Sequence, residues 1–185
     1  MHNFLRIENG VLEECIMPET VVIPPEVTKI GDSAFERCHS LTSITIPNGV
    51  TIIEQWAFFD CRNLTTVTLG DNVTSIECNA FGWCVSLTSI NIPNRVISIG
   101  DDAFRDCRSL TSITIPERVT RIGDRAFMSC DSLTSINIPE SVVLIGNDAF
   151  RGCDSLTSIR LPERFNTPNE LERIGLTLKN HLMTA

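Results

Sequence analysis

Phenylalanine recurs at Phe35, Phe58, Phe81, Phe104, Phe127 and Phe150, always 23 residues apart and always behind an alanine. The same period carries Cys15, Cys38, Cys61, Cys84, Cys107, Cys130 and Cys153, and a third column of Leu41, Leu64, Leu87, Leu110, Leu133 and Leu156. Self-similarity at a fixed period of 20 to 29 residues is the signature of a solenoid. A single unit of this length forms one coil with no opposite wall, so its apolar face can be buried only against the next coil.

Written once, the unit is P-x-x-V-x-x-I-G-[DN]-x-A-F-x-x-C-x-S-L-T-S-I-x-I, whole from Pro93 to Ile115 and again from Pro116 to Ile138. Leu110, Ile113 and Ile115 end it as L-x-x-I-x-I, whose last three residues alternate as in a strand with one buried face. Pro116 ends the strand. A second short extended stretch is expected around V-x-x-I. Asp101 before Ala103-Phe104 is expected to cap a tight helical turn, as are Asp32, Asp124 and Asn147. The predicted organisation is a degenerate N-terminal capping repeat over 1–26, six repeats over 27–164 and a C-terminal capping helix over 165–185.

The cap prediction rests on Thr167-Pro168-Asn169-Glu170, a capping box with proline at the first helical position. Leu171, Ile174, Leu178 and Leu182 follow at helical spacing, with Gly175 as the discordant residue.

L-x-x-I-x-I at a 23-residue period together with I-G-x-x-A-F-x-x-C resembles the BspA-like class of bacterial leucine-rich repeat proteins, over roughly residues 4–164. The resemblance implies an α/β fold class: a curved solenoid of about seven rungs with one parallel sheet and a helical C-terminal cap. It also implies a non-catalytic binding or adhesion module, in keeping with the class's frequent place on bacterial surfaces. One departure matters. The position eight after each leucine is Gly49, Asn72, Arg95, Arg118, Ser141 or Arg164, so the buried asparagine ladder of general leucine-rich repeats is missing. The Ser or Asn before each leucine is the expected substitute for bonding the turn backbone.

Charge narrows the partners. Twenty-three acidic against 15 basic residues give a net charge of -8, which weighs against nucleic acid and anionic membranes. No apolar run is long enough to span a bilayer. No catalytic or metal motif accompanies the three histidines, and the expectation is of no enzyme, no metal and no cofactor. The cysteine column reads as buried, reduced thiols, which favours a reducing compartment. No secretory leader is legible at the N-terminus, although the family resemblance allows a surface location. Cys78 replaces the capping Asp or Asn of its repeat and is the expected reactive thiol.

Two faces compete as binding surfaces. Trp56, Phe59 and Trp83, with Met128 at the margin, stand in columns that are otherwise mostly polar, and mark a patch for a protein partner or a second copy of the chain. The alternative is the concave sheet face, with Thr45, Thr68, Asn91, Thr114, Asn137 and Arg160, suited to a glycan or adhesive role. A structural spacer is the third reading.

Overall fold

In the structure, a computed structural model, residues 4–16 and 20–176 are described. The chain opens with β1 (Phe4–Glu8), β2 (Val11–Ile16) and β3 (Thr20–Val22). Six coils follow, each giving a two-residue and then a three-residue strand. These are β4 (Lys29–Ile30) and β5 (Ser43–Thr45), β6 (Ile52–Ile53) and β7 (Thr66–Thr68), and β8 (Ser75–Ile76) and β9 (Ser89–Asn91). Then come β10 (Ser98–Ile99) and β11 (Ser112–Thr114), β12 (Arg121–Ile122) and β13 (Ser135–Asn137), and β14 (Leu144–Ile145) and β15 (Ser158–Arg160).

The three-residue strands and β3 form a seven-stranded parallel sheet, and the two-residue strands with β1 and β2 form an eight-stranded sheet opposite. Register follows the repeat, so equivalent residues pair, as in Ser112 with Ser135 and Ile113 with Ile136. The expected solenoid is therefore present, but with two sheets. The V-x-x-I stretch pairs from coil to coil instead of merely running extended.

Between the sheets, the six phenylalanines form one column of nearly parallel rings, from 4.9 Å between Phe35 and Phe58 to 5.7 Å between Phe127 and Phe150. Val, Ile, Leu and Ala columns pack around it, most of them fully buried. This is the opposite wall that one coil lacks.

The first unit is not simply a weakened coil. β1 pairs antiparallel with β2 across Asn9-Gly10, both at positive φ (50° and 77°), so Glu8 opposes Val11. That is the two-residue turn whose twist suits a hairpin, and the Asn-Gly pair is its sequence signal.

The A-F turn is not helical either. Phe59 and Cys61 donate their N–H to the carbonyls of Trp56 and Phe58 in their own coil, whereas Trp56, Phe58 and Asp60 donate to Cys78, Ala80 and Gly82 in the next. Alternation between the two coils leaves no run of i to i−4 bonds, and it places every fourth residue, such as Trp56 and Asp60, at positive φ. The expected Asp caps act across coils for the same reason. Asp101 Oδ1 accepts the N–H of Asp124 at 3.0 Å, and Asp124 Oδ1 accepts that of Asn147 at 2.7 Å. Of the residues before leucine, Asn63 bonds the His39 carbonyl at 2.7 Å. The regular ladder belongs instead to the threonine after leucine, each hydroxyl donating to the same carbonyl one coil back, as Thr65 does to Thr42.

At the C-terminus a 3₁₀ turn (Glu163–Phe165) precedes α1 (Pro168–Arg173). Thr167 accepts the Glu170 N–H, as the capping box requires, and Leu171 and Ile174 are buried. The helix is shorter than the periodicity suggested, because Gly175 turns left-handed at φ 84° and ends it. Leu178 and Leu182 lie outside the described residues, as does the side chain of Cys15. The carbonyls of Arg173 and Ile174 accept the N–H groups of Asp148 and Phe150, and Arg173 Nη1 donates to the Ile145 carbonyl at 2.7 Å. The tail thus supplies the bonds that a further coil would supply.

Candidate functional site

The turn face departs from the repeat most in two neighbouring coils, residues 47–69 and 70–92. Trp56 is 36% exposed and Phe59 half-buried, with ring centroids 4.5 Å apart in an edge arrangement. Phe59 has room because its own column holds Gly82 in the next coil, where a Cβ would stand 3.1 Å from the Phe59 ring. Trp83, half-buried, carries the Arg108 guanidinium 5.7 Å above its ring.

Both tryptophans occupy left-handed backbone, at φ 59° and 60°. Bulky residues are disfavoured there, by roughly 1 to 2 kcal/mol relative to residues that tolerate it. The same columns elsewhere hold mostly Ser33, Asn79, Asp102 and Asp148, or Asp60, Asp106, Ser129 and Gly152. The expected patch is therefore assembled in part. Trp56 and Phe59 touch, and Trp83 lies in the adjoining coil against Arg108. Met128 shares the Phe59 column but stands three coils away, about 14 Å at ordinary strand spacing, and does not join them.

Buried aspartates anchor the arginines of this face. Asp60 receives Arg62 Nε at 2.7 Å and lies 3.4 Å from His39, and the Arg62 guanidinium holds its carboxyl below the usual range. Asp102 takes both arms of Arg125 at 2.9 Å, and Asp106 takes Arg108 at 2.8 Å.

A further feature that the repeat pattern does not announce is confined to these two coils. Gly31, Gly100, Gly123 and Gly146 form a column in which a Cβ at Gly123 or Gly146 would lie 2.2 to 2.6 Å from the preceding coil. Glu54 and Glu77 stand in that column in the aromatic coils. Beside them opens a cavity of about 350 Å³ lined by Asp32, Ile52, Glu54, Gln55, Glu77 and Cys78. In sequence the two glutamates stand out against the glycine column, whereas the space beside them exists only once the coils stack.

On the seven-stranded sheet, the outward residues alternate exposed around a buried central one in every three-residue strand whose burial is described. Thr45, Thr68, Asn91, Thr114, Asn137 and Arg160 thus form one exposed row, continued by Val22, 82% exposed, on edge strand β3.

The thiols do more than fill space. Cys61, Cys84, Cys107, Cys130 and Cys153 are buried and reduced, and each Sγ lies 3.0 to 3.2 Å from a phenylalanine carbonyl of the preceding coil. The S–H donates to an oxygen that an apolar residue would leave with one bond fewer. Burial pushes the Cys153 thiol up to about 12 and Cys38 to about 11, and raises the other four further. Cys78, half-buried, lines the cavity instead.

A thiol reagent at mildly alkaline pH should therefore modify Cys78 first, with the five buried thiols reacting only as the chain unfolds. Rapid modification of several of those five in the folded protein would contradict the ladder. Their thiols bind protons more tightly folded than unfolded, so their contribution to stability is intact below the ordinary value of 9.0 and declines as pH rises above it.

Among the described residues, no cluster of three or more His, Cys, Asp or Glu could hold a metal ion, and no helix is long and apolar enough to cross a membrane.

The profile described as BspA type leucine-rich repeat region matches in six copies, over residues 5–85 and 74–172. The Treponema pallidum leucine-rich repeat protein is similar at 31% identity and a TM-score of 0.81, over 87% of this chain and 80% of its own. A Bacteroides ovatus leucine-rich repeat protein shares 26% identity at a TM-score of 0.65, over 87% of this chain and 51% of its own. A leucine-rich cell surface protein of Faecalibacterium prausnitzii shares 30% identity at a TM-score of 0.60, over 86% of this chain and 55% of its own. No curated protein sequence matches the chain.

Proposed function

The chain belongs to the BspA-type leucine-rich repeat family, and from that premise we propose that it is a non-catalytic module that binds a protein partner through the aromatic turn face of residues 47–92. The observation that carries this reading is the pair of tryptophans at left-handed φ. The fold has no need of them, since the same backbone is built with Ser, Asn, Asp, Gly or Arg in other coils. The left-handed φ belongs to the coil, but a bulky ring placed on it is a cost that the fold does not require. Such costs concentrate at binding sites, and exposed aromatics are the residues that dominate interface energies. The sheet face offers mainly hydroxyls, amides and a single arginine in its exposed row, which contribute less per residue.

The test sets the two faces against each other. Trp56→Asn with Trp83→Asp removes both tryptophans, leaving Phe59, and installs residues that other coils carry at those positions. Thr68→Glu with Thr114→Glu charges the sheet. In capture from the source organism's lysate, the tryptophan variant should lose the partner that the wild type retains, by about 2 kcal/mol or more per aromatic, and the sheet variant should keep it. Retention by the tryptophan variant and loss by the sheet variant would place binding on the other face.

A further inference from the structure

We infer that the aromatic face receives a basic segment of its partner, with a lysine or arginine side chain seated in the cavity beside Trp56. This rests on the reading of that face as the docking surface and specifies what docks there. Cavity and patch are contiguous, because Trp56 directly follows the lining residue Gln55 and donates its N–H to the carbonyl of the lining residue Cys78 at 3.0 Å. They are also local to the same coils, since Glu54 and Glu77 replace glycine where Trp56, Phe59 and Trp83 replace mainly small or polar residues.

Charge complementarity selects the occupant. Elsewhere on this turn face, Arg62, Arg108 and Arg125 are each paired with a buried aspartate. On the cavity side the acids are left in excess. Asp32 is bonded by the neutral Gln55 and Ser33, and Glu77 by the neutral Ser75. Glu54 has Lys29 at 3.6 Å. Among the described residues no cation pairs with Asp32 or Glu77. An entering guanidinium or ammonium would meet these carboxylates and lay its aliphatic stem on Ile52, in a cavity whose lining residue Gln55 adjoins Trp56 in the chain. An acidic segment would meet uncompensated repulsion.

Two tryptophans and no tyrosine make emission a direct reporter, and Trp83→Phe isolates Trp56. The probes are short capped peptides of arginine, of glutamate and of leucine alternating with glycine. The arginine peptide should change Trp56 emission, bind more weakly as salt rises, and slow modification of Cys78 in the wild-type protein. Glu54→Gln with Glu77→Gln should weaken it about tenfold or more, and the glutamate peptide should give no response. No response to the arginine peptide, or an equal response in the carboxylate variant, overturns the basic occupant. Cys78 protection is read on unsubstituted protein, so a misfolded variant does not blunt the test. If the leucine peptide binds at Trp56 regardless of the carboxylates, the docking surface stands and only its basic occupant falls. If neither any peptide nor the natural partner responds to Trp56→Asn, the docking surface falls as well.

Discussion

Replacing Phe104 by alanine should destabilise the fold by about 3 to 5 kcal/mol, a large share of what a domain of this size ordinarily has. Its side chain is fully buried, with stacked rings 5.5 Å away on both sides. In a solenoid each coil contacts only its neighbours, so a hole in the middle weakens two interfaces at once. Phe150 has one stacked ring, at 5.7 Å, with the tail beyond it, and Phe150→Ala should cost less. Urea unfolding of the two variants checks both the size and the order. Equal small losses would show that the column is not the continuous core described.

Truncation after Asn166 should have the second large effect. It removes the buried Leu171, Ile174 and Leu176, each worth about 1.5 to 3 kcal/mol when fully buried. It also strips Asp148 N–H, Phe150 N–H and the Ile145 carbonyl of the partners that complete the last coil. The exposed end then presents Phe150 and strand edges to other copies. A fall in melting temperature and association on a sizing column are expected. An unchanged melt and a clean monomer would show that the tail is not a cap.

Columns were legible in the sequence because stacking needs identical residues at identical positions. Phe, Cys and Leu at one period dictate the core, and Thr167-Pro168 with Glu170 announces the last helix. The destination of each turn N–H was not legible, since a bond within the coil and a bond to the next coil fit the same repeat. That ambiguity is why the repeat pattern points Asp101 to its own turn when it serves Asp124, and why it predicts a helix where alternate residues bond outward. Trp56 and Trp83 stood out as large residues in polar columns. Their left-handed backbone did not, because φ is set by the coil and not by the residue. What Glu54 and Glu77 open is illegible for a different reason: glycine's role in that column is to admit the neighbouring backbone, a contact that only the stacked coils display.

The central claim is that the two tryptophans serve binding at a cost to the fold. Thermal melting of Trp56→Asn with Trp83→Asp tests it most directly. Asparagine and aspartate tolerate left-handed φ, so the variant should melt at or above the wild-type temperature. A drop of several degrees, to be read against the roughly 2 to 4 °C per kcal/mol of a domain this long, would mean that the rings are structural and would contradict the account.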